Sequence, residues 1–91
     1  MPDQKISLAE QIRNNLNAGL LPRVLPEKIR TGYGHGNACS GCSRPIYPAQ
    51  TMYEFRMRPD FDELVQFHIG CLGMWLAELR RHGIVTHFTL E

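Results

Sequence analysis

Apolar residues recur along three stretches of this chain at two different periods. Leu8, Ile12 and Leu16 stand four apart with Ala9 beside them, which is the spacing of one helix face. Ser7-Leu8-Ala9-Glu10 opens that stretch as a capping box, with the Ser hydroxyl and Glu carboxylate placed to satisfy free amides of a first turn. Gly19 supplies a residue fit for a left-handed C-terminal cap. A helix is therefore predicted from Ser7 to about Gly19, with Arg13, Asn14 and Asn17 on its polar face.

Further on the period falls to two. Tyr53, Phe55 and Met57 alternate with Glu54, Arg56 and Arg58, and "ELVQFH" is a second β-prone run after the acidic turn "PDFD". This predicts a hairpin. From Ile69 onward Leu72, Trp75, Leu76 and Leu79 return to helical spacing until Gly83 interrupts it, and "IVTHFT" reads as a closing strand.

Between Leu20 and Ala38 the pattern is broken by Pro22, Pro26, Gly32, Gly34 and Gly36. No regular structure is expected there. The segment reads as an extended arm followed by a flexible loop. Leu20, Leu21, Val24, Leu25 and Ile29 are too apolar for a free linker, so the arm is expected to lie on the domain or on a partner.

With 91 residues the chain is read as one domain: an N-terminal helix and arm (1–37), a core (38–82) and a C-terminal strand or tail (83–91). A core this small leaves marginal stability unless a staple helps. Neither a signal-peptide h-region nor an apolar run of about 18 residues is present, so a cytoplasmic protein without membrane contact is expected. Three cysteines are an odd count for a disulfide framework, and a reducing compartment would keep them free for a metal.

Those cysteines fall in "NACSGCSRPIYP" and "QFHIGCLGMW", with the spacing Cys39-x2-Cys42-x25-His68-x2-Cys71. Zinc takes four tetrahedral S or N ligands. A C-x2-C turn presents two sulfurs to one point, and two positions three apart at a helix start face the same way. Cys39, Cys42, His68 and Cys71 are thus the expected ligands of one structural Zn(II) per chain, with Gly41 easing the tight turn and the helix N-terminus favouring the Cys71 thiolate. Four protein ligands leave no place for a catalytic water.

Other readings fit less well. His35, four residues before Cys39, is the rival ligand, while His82 and His87 suit a helix end and a strand surface. A redox role for Cys39 and Cys42 lacks the strand-to-helix context of that motif, and the H-x-E phrase of zinc deaminases is absent. "GYGHG" lacks the Gly-Lys-Ser/Thr of a phosphate loop.

Knuckle, hairpin and a helix carrying the last two ligands resemble a treble-clef zinc finger over residues 38–82, and the whole is expected to be an α+β fold with an additional N-terminal helix. "CSGCSRPI" followed by "FHIGCLGMW" is similar to the first zinc unit of LIM domains and to the finger of poly(ADP-ribose) polymerases. The former implies protein contacts and the latter binding to DNA breaks. The whole chain resembles small bacterial zinc-binding proteins that join "LPxV…G-x-G" to the same ligand pairs. His-Me nucleases share the treble clef but place a catalytic His on the hairpin, and residues 46–67 contain none.

Charge bears on the choice between these roles. Ten Lys and Arg against nine Asp and Glu give +1, and three thiolates with one Zn(II) bring the formal charge to zero. Residues 1–47 carry +3 and residues 48–91 carry −2, a mild asymmetry beside the basic excess of a dedicated nucleic-acid binder. The expected role is a non-enzymatic protein-interaction module, with nucleic-acid (DNA) binding as the alternative; Arg56, Arg58, Arg80 and Arg81 are the expected positive patch, and Arg44, Arg56 and Arg58 a local one like that of the polymerase-type finger.

Overall fold

The computed structural model describes residues 7–26, 28–58, 61–84 and 86–90. In chain order they form α1 (Leu8–Asn17), β1 (Lys28–Tyr33), β2 (Thr51–Arg58), β3 (Phe61–Phe67), α2 (Ile69–Arg81) and β4 (Thr89–Leu90). This is a small α+β fold. Among the described residues no helix is long and apolar enough to cross a membrane.

α1 begins and ends as its sequence predicts. The Ser7 hydroxyl accepts from the Glu10 amide at 3.2 Å. At the other end Gly19 takes φ +79°; its amide donates to Leu16 O and that of Leu20 to Asn15 O, the paired bonds of a Schellman cap. Ile12 and Leu16 are fully buried.

The four strands form one mixed sheet in the order β3-β2-β1-β4. β2 and β3 are the expected hairpin, paired through Tyr53↔Phe67 and Phe55↔Val65; residues 59–60 of its acidic turn lie outside the described residues. Strand β1 corrects the expectation of an irregular segment. Its Arg30–Tyr33 stretch pairs antiparallel with Glu54–Thr51 of β2, so main-chain hydrogen bonding overrides a glycine-interrupted pattern in which only Ile29 turns inward. The closing strand also sits further on than "IVTHFT", at Thr89–Leu90, and runs parallel to Lys28–Ile29.

α2 packs on the sheet face that carries Phe55, Val65 and Phe67. Trp75 is the centre of that layer, fully buried, with its ring centroid 5.3 Å from those of both Phe55 and Phe67. These aromatics are core. The Trp75 indole donates to the Pro22 carbonyl at 2.9 Å, and Leu21 is buried while Leu25 packs against the core. The arm therefore lies on the fold, although Leu20 and Val24 on the same stretch remain 69% and 61% exposed.

A charged contact also joins α1 to α2. Glu78, buried on α2, accepts from Arg13 Nε and Nη2 and from Arg81 Nη1 at 3.1–3.4 Å. The Arg13 hydrogen bond, and then its charge, hold the Glu78 carboxyl below its ordinary value against a burial that would raise it.

Candidate metal centre

Two elements of different kind deliver the two ligand pairs. The first comes from a tight turn closed by main-chain bonds: Cys39 N donates to Arg44 O at 2.8 Å and Ser43 N to Cys39 O at 2.9 Å, with an antiparallel bridge between Ala38 and Pro45 just outside. The left-handed residue in this knuckle is Ser43, φ +67°. Gly41 serves another purpose than the one its position implies. A Cβ there would lie 3.1 Å from Cys71 Cβ and 3.3 Å from a Phe67 ring carbon, so glycine lets the knuckle sit against the core.

The second pair spans the start of α2. His68 is its N-cap residue, with extended φ/ψ and a carbonyl that accepts from Leu72 N at 2.9 Å, but its side chain caps nothing. The imidazole turns toward the knuckle instead. Nδ1 lies 3.4 Å from Cys42 Sγ and 3.9 Å from Cys71 Sγ, and Nε2 lies 3.0 Å from Pro45 O.

One ligand atom from each of Cys39, Cys42, His68 and Cys71 lies within 4.8 Å of all the others. With metal–sulfur bonds of about 2.3 Å and metal–nitrogen bonds of about 2.0–2.1 Å, the edges of a tetrahedral site are about 3.5–3.8 Å. The two His68–sulfur separations are of that size. The side chains therefore stand positioned to hold one metal ion, and all four expected ligands meet at this point. His35 does not take part; its Nδ1 lies 3.3 Å from Asn37 Oδ1. His82 caps α2, and His87 is exposed.

The surroundings fit a bound cation. A carbonyl oxygen only accepts, so His68 Nε2 carries the proton and Nδ1 directs its lone pair at the sulfurs, the orientation that an outer partner gives a metal-ligating histidine. Gly41 N donates to Cys39 Sγ at 3.3 Å. Among the four side chains by themselves, the Cys39 thiol is lowered to about 4, first by the hydrogen bond from Cys71 and then by amides of Cys42, His68 and Gly41, against burial. Cys71 is pushed up, first as donor to Cys39 and then by burial and by the charges of Cys39 and Cys42. The buried thiols of Cys39 and Cys71 thus form one hydrogen-bonded pair around a shared proton. A dication would displace that proton.

Residues outside the ligand set hold the knuckle in place. Gln11 Nε2 donates to Cys42 O at 3.1 Å and Asn15 Nδ2 to Gly41 O at 3.0 Å. Ser40 locks the other side: its amide donates to Gln66 O at 2.7 Å and its hydroxyl accepts from Gln66 N at 3.0 Å. The spacing of four between Gln11 and Asn15 was the readable signal, since it sets two amides on one helix face beside Ile12 and Leu16.

The expected positive patch is divided. Arg80 Nε donates to Thr86 Oγ1 at 2.9 Å and Arg81 pairs with Glu78, both on α2, whereas Arg56 is on β2 and the side chain of Arg58 lies outside the described residues. "GYGHG" is partly strand, and Gly34 is required by contact: a Cβ there would collide with the carbonyls of Ile46 and Tyr47. Compared with protein-family models, curated proteins and solved structures, the chain has no match.

Proposed function

We propose that this protein is a small binding module whose fold is held by one structural zinc ion, and that it acts through protein contacts and not through catalysis. The observation that carries the reading is the convergence of Cys39, Cys42, His68 and Cys71 ligand atoms within 4.8 Å. Three thiolates and an imidazole are a set that suits zinc, and four protein ligands close the coordination sphere. The succession of knuckle, β2–β3 hairpin and α2 supports a treble clef over residues 38–82, with α1 and the arm as additions to it.

A role in protein contact is supported by the large apolar side chains left at the surface, among them Leu20, Val24, Tyr33, Tyr47 and Ile69, all more than half exposed. The test is metal analysis of the reduced protein together with a chelator titration followed by circular dichroism. One zinc per chain and loss of cooperative structure on chelation are expected. A folded, reduced protein that contains no metal overturns the reading.

A further inference from the structure

The three sulfurs of the cluster are not equally covered. Cys39 and Cys71 are each 2% exposed, while Cys42 is partly open. A cavity of about 690 Å³, walled by Leu8, Gln11, Arg44 and Tyr47, is bordered by Cys42 and His68. Cys71 reaches the same wall with almost no surface of its own. Hydrogen bonding separates the sulfurs further. Gly41 N donates to Cys39 Sγ at 3.3 Å, and amide donors draw electron density from a sulfur and weaken it as a nucleophile. Among the described residues no main-chain amide donates to Cys42 Sγ, which lies 3.4 Å from His68 Nδ1. All three sulfurs lie within 4.8 Å of one another.

We propose that Cys42 is a site of oxidation by hydroperoxides, and that its oxidation leads to a Cys39–Cys42 disulfide that dismantles the cluster. The proposal rests on the reading of the cluster as a zinc site and gives that site a regulation. A hydroperoxide is small enough for the cavity and meets Cys42 first. The Cys42 sulfur attacks one peroxide oxygen: the S–O bond forms, the O–O bond breaks and the other oxygen leaves as hydroxide or alkoxide, so that sulfur gives up two electrons and the peroxide takes them. Cys39 Sγ then attacks the sulfenic sulfur, and the S–S bond forms as the S–O bond breaks and hydroxide departs. Cys39 is the partner because one knuckle carries both residues, and closing the bond asks nothing of α2. A disulfide sets its sulfurs about 2.05 Å apart, well inside the edge of about 3.8 Å between two sulfurs that share a tetrahedral metal. His68 and Cys71 alone remain as ligands, two where a closed site needs four. A dithiol reverses the step by exchange.

The experiment treats the reduced, zinc-loaded full chain with hydrogen peroxide, with dimedone present to trap sulfenic acid. Peptide mapping by mass spectrometry locates the adducts, a chromogenic chelator reads released zinc, and a parallel sample without dimedone is mapped for disulfides. The first adduct is expected on Cys42, zinc release should follow Cys42 oxidation one for one, and Cys39–Cys42 should be the disulfide formed. Dithiothreitol and added zinc should restore the metal content. Cys42→His keeps a four-ligand set and should release zinc on the order of tenfold more slowly, since Cys39 and Cys71 are buried. Adduct mapping on the unaltered chain stands even where that variant does not fold. A first adduct on Cys39 or Cys71, equal labelling of all three, a disulfide of Cys71 with either neighbour, full Cys42 oxidation with the zinc retained, or a folded Cys42→His variant that loses zinc as fast as the unaltered chain overturns the proposal. Metal analysis before peroxide is added separates the two readings. Zinc-loaded protein whose first adduct lies elsewhere sinks the Cys42 site alone; folded, reduced protein without metal sinks the zinc module and this regulation with it.

Discussion

His68 donates from Nε2 to the main-chain carbonyl of Pro45 across 3.0 Å, so the knuckle that carries two of the four clustered side chains also orients a third. Replacing His68 by Ala should release the metal and abolish cooperative melting, because structural zinc contributes an apparent ~10–16 kcal/mol in finger peptides, as much as the whole stability of many small domains. His68→Cys should keep both, since it restores a fourth soft ligand. His35→Ala should change neither metal content nor melting. Loss of zinc in His35→Ala with retention in His68→Ala would refute the assignment.

Trp75 provides an internal reporter of the same event. It is fully buried and its indole is bonded to Pro22, so native emission should be blue-shifted and move to the red on chelation. Trp75→Phe would leave the half-buried Pro22 carbonyl without its donor, at a cost of about 0.5–1.5 kcal/mol for the lost hydrogen bond. The denaturant midpoint should fall while metal content stays the same, which equilibrium unfolding and metal analysis together would check.

The clip between α1 and α2 has a defined pH signature. The Glu78 carboxyl is held below its ordinary 4.5, so its contribution is complete above the unfolded value and lost as pH falls through the folded one. Arg13→Ala should lower the melting temperature by a few degrees, and that gap should stay flat between about pH 5.5 and 8. Glu78→Ala should lower it further, since it leaves Arg13 and Arg81 facing each other. A gap that changes across this range would assign the effect to another group.

Two glycines should respond differently to the same methyl group. Gly34→Ala drives a Cβ into the carbonyls of Ile46 and Tyr47, main-chain atoms that cannot turn aside, and should cost about 1–3 kcal/mol or more. Gly36→Ala meets nothing within 4 Å but sits at φ +85°, so it should cost about 1–2 kcal/mol in backbone strain alone. Thermal melts of the two variants would test that order.

The elements that were legible beforehand are those whose pattern is intrinsic to the segment. α1 carries its own cap and period, the hairpin its alternation, and α2 the spacing of Leu72, Trp75, Leu76 and Leu79. β1 was not legible, because "KIRTGY" turns only Ile29 inward and its identity as a strand comes from hydrogen bonds to β2. The meeting of Cys39, Cys42, His68 and Cys71 was readable because a four-ligand metal site constrains side-chain spacing. Its surroundings were not: Pro45 O and Gly41 N are main-chain atoms that any residue carries, Ser43 takes the left-handed turn, and Gly41 is needed for its close approach to Cys71 and Phe67.

β4 returns to the sheet beside β1 only after the hairpin and α2 stand between them, and it does so with the two residues Thr89 and Leu90. Both are exposed, so little apolar area holds the pairing. The cluster of Cys39, Cys42, His68 and Cys71, by contrast, ties the knuckle to the first turn of α2. Opening of the native state is therefore graded along the chain. Amide protons around Thr89 should exchange with solvent long before those of Trp75 to Leu79, and the last strand can peel away while the half of the molecule around the four-residue cluster keeps its shape.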